Sequence, residues 1–412
     1  MPIRPRPGRP ESGFTLTELL VTLLVVVLLL ATTLPAIGMG GARGDAGVQG
    51  SIANLVTISV AHVLYAADWN GRQVTWTRDD LGTADSISGY NSAQGCTSSF
   101  NQPPCHPPVL AGLGPTGGGG YGFWGFWGAT PLIEPFIWPG GPNDGPVLRG
   151  FGNFRYPNLD PFHDYVNGRY QDEVFYAPND ELSQDRNSEC FESLAEFDPA
   201  CNPGYSSYCL SAAAMFHPDV MRANAAGGWQ DPWSLDHGFQ SPGLFQATYP
   251  QLKTHMLEAL WLQNAPVQCN PDVPDFCSPY FFNQAAASSP VTLFYDGSVR
   301  LLPNTEVLAA DQQIIEQTGG IDGAWHRDTP FGIDGFFIQD GFDLAPISHH
   351  VLTTDGILGR DTVAGAGASA ARRLRRGGTV PLARQATDAH GFSLLRTSLP
   401  EILLTTPEGN DE

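Results

Sequence analysis

Two sets of side chains stand out as able to do chemistry: a lone carboxylate, Glu18, inside an apolar run, and a histidine–aspartate group late in the chain. The run Phe14–Leu34, FTLTELLVTLLVVVLLLATTL, is 21 residues long and Glu18 is its single charge. A carboxylate held in lipid costs several kcal/mol unless a cation meets it, so Glu18 implies a partner charge. The second set is His326, His349 and His350 beside Asp328, Asp334, Asp340 and Asp343. Their spacing fits no EF-hand loop, and aspartates beside glycine or in loops are ordinary turn residues, so no metal is expected there. Neither His-Glu-x-x-His, Gly-x-Ser-x-Gly nor a Walker loop occurs. Gly112-Leu113-Gly114-Pro115-Thr116-Gly117 has the letters of a dinucleotide loop. Its proline and the glycines after it leave no helix start to receive a pyrophosphate. No catalytic residue is assigned, and an enzyme is not expected.

Composition narrows the partners. Acids outnumber bases 42 to 21, for a net charge of −21, which argues against nucleic acid and against lying flat on anionic lipid. With 47 glycines, 35 prolines and only 15% charged residues, the body should be loop-rich with short strands. The seven cysteines form three local groups, Cys96/Cys105, Cys190/Cys201/Cys209 and Cys269/Cys277, none spaced as Cys-x-x-Cys. Local disulfides in an oxidising compartment are the expectation, with ordinary buried thiols the alternative. An odd count leaves at least one thiol free or paired between chains.

The elements around Glu18 decide how it is used. Residues 1–13, MPIRPRPGRPESG, carry Arg4, Arg6 and Arg9 and no apolar run. At about 1.5 Å per residue the adjoining apolar run matches a hydrocarbon core about 30 Å thick. The arginines place the N-terminus in the cytoplasm and the body outside the inner membrane. A secretory signal has a shorter apolar stretch and a small-x-small cut site. A plain signal anchor leaves Glu18 without a reason. Gly13-Phe14-Thr15-Leu16-Thr17-Glu18-Leu19-Leu20-Val21 resembles the cleavage and methylation signature of type IV prepilins and type II secretion pseudopilins.

That resemblance implies that a prepilin peptidase cuts between Gly13 and Phe14 and that Phe14 becomes N-methylated. It implies that Glu18 neutralises the new α-amine of a neighbouring subunit, as an assembly register. Such a pair is favourable only where both charges are already committed to a low-dielectric medium. Pro35, 21 residues after Phe14, matches the helix-bending proline of many pilins. The partners implied are the peptidase, other pilin or pseudopilin subunits, an assembly platform and the inner membrane. Some secretion pseudopilins hold calcium in a C-terminal loop; no other cofactor is implied.

Downstream, 14–37 is expected as the transmembrane and assembly helix and 38–50, with six glycines, as a joint. A second helix is expected over 51–68, its stripe Ile52, Leu55, Val56, Val60, Val63 and Leu64 packing on the body. Asn70-Gly71 signals a turn. Trp124, Phe126, Trp127, Phe136 and Trp138 are expected to pack over the sheet, with an exposed stacking surface for sugar as the alternative. Residues 172–210 read as a disulfide-tied loop region. Pro290–Leu302 reads as a hairpin about Asp296-Gly297. This hairpin and the Asn54–Arg72 junction resemble pseudopilin-like proteins of the planctomycete type, although Ala286 stands where those relatives often carry histidine. A pilin-like globular domain over 51–302 is expected to precede an extension, 303–412, with an Ala/Gly/Arg linker and an acidic tail. The fold class is α+β: two N-terminal helices and an antiparallel sheet with long loops. The function expected is a structural filament subunit; the alternative is a membrane-anchored module that binds glycan or exported cargo.

Overall fold

The computed structural model describes residues 45–93, 109–116, 118–126, 135, 152–201, 205–259, 269, 280, 283, 286, 288–335 and 343–365. Gly13, Phe14, Glu18 and Pro35 lie outside them, as do Cys96, Cys105, Cys277, Trp127, Phe136, Trp138 and the arginine cluster 372–376. The chain divides into two units, Met1–Gln49 and Gly50–Glu412, and of the first only 45–49 are described. The helices and strands named here belong to the second unit, apart from the start of its first helix.

Helix α1 runs from Asp45 to Asp68, so it opens six residues before the expected start, within the glycine-rich stretch. Ala46–Asp68 is long and apolar enough to cross a membrane by length and composition. Asn70 and Gly71, with φ of 55° and 80°, end it in left-handed backbone, and the Gly71 amide donates to the Ala66 carbonyl at 2.6 Å. Only glycine takes such a φ without strain, and asparagine tolerates it better than most, so the Asn-Gly pair suits this helix end.

The face of α1 that packs is Ser51, Leu55, Ile58, Ala61, His62, Tyr65 and Ala66. Of the expected stripe only Leu55 is buried, while Val60, Val63 and Leu64 are 52%, 48% and 51% exposed. The helix is apolar on both faces, so periodicity could not choose between them. Polar anchors made the choice. Ser51 Oγ donates to Glu258 Oε1 at 2.5 Å and lies 3.0 Å from the Tyr208 hydroxyl, and Asn54 Nδ2 donates to the Tyr176 carbonyl at 3.1 Å. Gly50 meets the body so closely that a β-carbon there would stand 2.6 Å from Pro178 Cγ.

The sheet under α1 has four antiparallel strands in the order β3 (Tyr208–Leu210), β4 (Thr254–Glu258), β5 (Val291–Phe294), β6 (Val299–Leu301). A hairpin of β1 (Val109–Thr116) and β2 (Gly120–Phe126) stands apart, as does the short pair β7 (Asp328–Thr329) and β8 (Gly332–Ile333). Strands β3, β4 and β5 are buried throughout. Neighbouring strand residues point to opposite faces, and β3 shows what covers each. Tyr208 reaches Ser51 of α1, whereas Cys209 Sγ lies 3.5 Å from His350 Nε2. Strand β6 is the half-exposed edge. The hairpin of β5 and β6 turns at Asp296-Gly297 as expected, with Gly297 at φ 82°.

Residues 152–201 are mostly turns and short helical turns around buried rings: Phe154, Tyr156, Phe162, Tyr170, Phe175, Tyr176 and Phe197. The Cys190–Cys201 disulfide ties this region, with its α-carbons 6.2 Å apart. Cys269 is also disulfide-bonded, and Cys209 is a buried free thiol. Residues 112–116 of the dinucleotide-like glycine run lie on β1, an extended strand, which gives no helix N-terminus to cradle a phosphate. Of the aromatic set expected over the sheet, Trp124 packs on Phe197 with ring centroids 5.8 Å apart; Tyr121 and Phe123 are exposed rings of the hairpin.

The described residues beyond 302 belong to the same unit as those from Gly50 to 302. Helix α2 (Asn304–Gln317) buries Val307, Ala310 and Asp311. Asp361 Oδ2 accepts from Lys253 Nζ at 2.9 Å, and both side chains are fully buried. Thr353 Oγ1 donates to the other oxygen of Asp361 at 2.6 Å, and Ser211 Oγ accepts from Lys253 Nζ at 2.8 Å. Burial alone would raise the Asp361 carboxyl, but Lys253 and His349 hold it below the usual range; burial lowers the Lys253 amine, against the pull of Asp361.

Candidate functional site

Where α1 meets the β5–β6 turn the body carries a cavity of about 120 Å³. Ser59, His62 and Val63 come from α1, Tyr295, Asp296 and Gly297 from the turn, and Leu244 and Phe245 from the loop that pairs with the end of α1. That loop is fixed by an amide of Leu244 donating to the Gly71 carbonyl at 2.7 Å. The hairpin signal and the helix end, both legible in the sequence, therefore set two walls of the cavity.

Its floor is a row of rings. His62 packs tilted against His255 at 4.4 Å and His255 against Tyr295 at 4.6 Å, with Phe162 behind His62 at 4.3 Å. Both nitrogens of His62 and Nε2 of His255 are buried without a hydrogen-bond partner among the described residues. A buried polar atom left so costs about 1–3 kcal/mol, and such atoms ordinarily find water or a ligand. Burial, with Lys253 nearby, pushes the His255 imidazole down to about 3, so it is neutral. Burial also raises the Tyr295 hydroxyl, which donates to Gln73 Oε1 at 2.9 Å and is spent on that bond. The cavity can accept or share hydrogen bonds with a small polar group. Among the described residues that line it, no nucleophile is hydrogen-bonded to a base, and Phe245, 70% exposed at its rim, makes the entrance apolar.

Beside this cavity, Val60, Val63 and Leu64 form the exposed apolar face of α1. A second exposed patch lies on the β1–β2 hairpin, where Tyr121 and Phe123 are 62% and 55% exposed on one face of β2.

Of the late histidine–aspartate group, Asp340 lies outside the described residues, and His326, His349, His350, Asp334 and Asp343 form no common ligand set. His326, His349 and His350 are core residues, His326 Nε2 bonding the Met221 carbonyl at 3.0 Å. Burial, opposed by Asp361 and aided by Lys253, pushes His349 down to about 4. Asp343 is buried and accepts from Ser348 Oγ at 2.7 Å, while Asp334 is exposed in a left-handed turn. Among the described residues the one set able to hold a metal is His217, Asp219 and His237. Sequence reasoning missed it because His237 lies 18 positions beyond Asp219. Burial and the nearby His237 lower His217, against the pull of Asp219. The hydrogen bond from His237, with Arg222 adding to it, lowers Asp219.

The processing and assembly residues Gly13, Phe14, Glu18 and Pro35 lie outside the described residues, so none is placed beside these sites. No protein-family model, curated protein or solved structure matches the chain.

Proposed function

We propose that the chain is a pilin-like subunit of a type II secretion pseudopilus or a type IV pilus-like filament, made as a membrane-anchored precursor. A prepilin peptidase would cut between Gly13 and Phe14 and methylate Phe14. Glu18 would then meet the α-amine of the adjacent subunit. The observation that carries this reading is the sequence Gly13–Val21, with an acid four residues beyond the cut inside an apolar run. The outward apolar face of α1, Val60, Val63 and Leu64, supports it, because a helix with one face on its body and another apolar face open can pack against other helices. Cysteines oxidised in the body suit an extracytoplasmic location.

The test is mass spectrometry of the cell-derived N-terminus, which should begin at methylated Phe14. A product that retains Met1, or begins beyond Pro35, overturns the reading. Gly13→Leu should accumulate as precursor, and Glu18→Ala should be processed yet fail to enter sheared filaments.

One observation favours a second reading, an anchored binding module. Tyr121 and Phe123 expose two rings on one face of β2, and exposed aromatic rings can stack on sugar faces. Retention of the wild type on immobilised polysaccharide, lost in a Tyr121→Ser/Phe123→Ser variant and without filaments on shearing, would favour that alternative.

A further inference from the structure

We propose that His217, Asp219 and His237 form a binding site for a borderline divalent metal ion of the zinc type, with water as the fourth ligand. This stands apart from the membrane segment and from filament assembly.

The ligand atoms already converge. His237 Nε2 lies 2.9 Å and His217 Nδ1 3.6 Å from the same oxygen, Asp219 Oδ2. Tetrahedral zinc with bonds of about 2.0–2.1 Å holds neighbouring ligand atoms roughly 3.3 Å apart, so the two separations bracket the required value. The Asp219 amide donates to His217 Nδ1 at 3.2 Å, which keeps the proton on Nε2 and leaves Nδ1 with a lone pair that an ion would take over from the amide. The other oxygen, Asp219 Oδ1, is held by Arg222 Nη2 at 3.2 Å. An outer partner of that kind orients a ligating carboxylate and leaves one oxygen for the ion.

The scaffold is rigid and the ligands are reachable. The His217 amide donates to the Gly238 carbonyl at 3.1 Å, which joins the two ligand-bearing loops directly. Beneath them the buried rings of Phe216 and Trp233 each pack on Phe239, at 5.9 and 4.8 Å. The three ligand residues are themselves half-buried, so an ion and its water can enter. Two imidazoles and one carboxylate suit zinc and its neighbours and not calcium, which needs six or more oxygens. The ion would tie the 217–219 turn to the 237 loop.

The experiment titrates the full-length protein, extracted in detergent and freed of metal, with Co(II) and follows the visible bands of a low-coordinate ion; Zn(II) is then added to displace it. The expected result is one saturable equivalent per chain, lost in a His217→Ala/His237→Ala variant and at least about tenfold weaker in Asp219→Asn. The isosteric Asp219→Asn keeps the side-chain shape and decides the matter if the double variant fails to fold. Wild type with no saturable binding, or an Asp219→Asn protein that binds as tightly as wild type, overturns the proposal.

Discussion

At the scale of single residues, buried polar groups set the behaviour of the body. Glu258 accepts from Ser51 through one oxygen and from the Val291 amide, at 3.0 Å, through the other. Glu258→Ala would strand both donors in a dry site and leave a void, at a cost of about 2–4 kcal/mol. Chemical denaturation should show that loss, and a change under about 0.5 kcal/mol would mean water replaces the carboxylate. His255 and His349 titrate at about 3 and about 4 in the folded protein. Unfolded histidine titrates at about 6.5. Below that value the unfolded chain takes up protons that the native one refuses, so stability falls with pH, by about 1.4 kcal/mol per pH unit for each imidazole. The decline should begin as pH drops through about 6.5, continuing to about 4 for His349 and to about 3 for His255. Denaturation midpoints at about pH 7.5 and about pH 5 test this, and His255→Phe should flatten the slope by one proton's share. Equal stability at the two values would contradict it.

At the scale of elements, α1 carries two different faces. The buried face rests on Leu55, Ile58 and Tyr65 and is latched by Ser51 and Asn54. The open face, Val60, Val63 and Leu64, has no such role in the body. Val60→Ser/Leu64→Ser should leave the thermal midpoint of the body nearly unchanged, within about 1 kcal/mol in stability, because surface substitutions rarely cost more. If the chain is a filament subunit, the same variant should lower its recovery in sheared filaments several-fold. Normal recovery would show that this face is idle. The hairpin of β5 and β6 was fully legible, since Asp296-Gly297 fixes its turn locally and alternating burial is not needed to find it. The face of α1 was not legible, because large apolar residues lie on both sides and only partners distant in sequence choose between them.

At the scale of the whole molecule, the expected boundary at 302/303 is bridged by the Lys253–Asp361 pair, 108 positions apart. Lys253→Met should cost about 3–5 kcal/mol by leaving a buried carboxylate unpaired, whereas Lys253→Met with Asp361→Leu should cost less. Thermal melts of the two variants compare them directly; equal losses would mean that the pair acts through packing alone. Ending the chain at Leu302 should likewise give no folded body by circular dichroism, since Asp361 and α2 would be lost. Local features were determined by the sequence alone: the apolar run with its acid, the Asn70-Gly71 and Asp296-Gly297 turns, the helix through 51–68 and a local disulfide within the group Cys190, Cys201 and Cys209, though not which two of the three pair. Each depends on residues within a few turns of chain, where periodicity and backbone preference act directly. The tertiary structure alone decided that His62 lies on His255, that His217 and Asp219 meet His237, and that Lys253 finds Asp361. Those contacts close long loops, and which loops close depends on how every side chain packs together, not on any one segment's pattern.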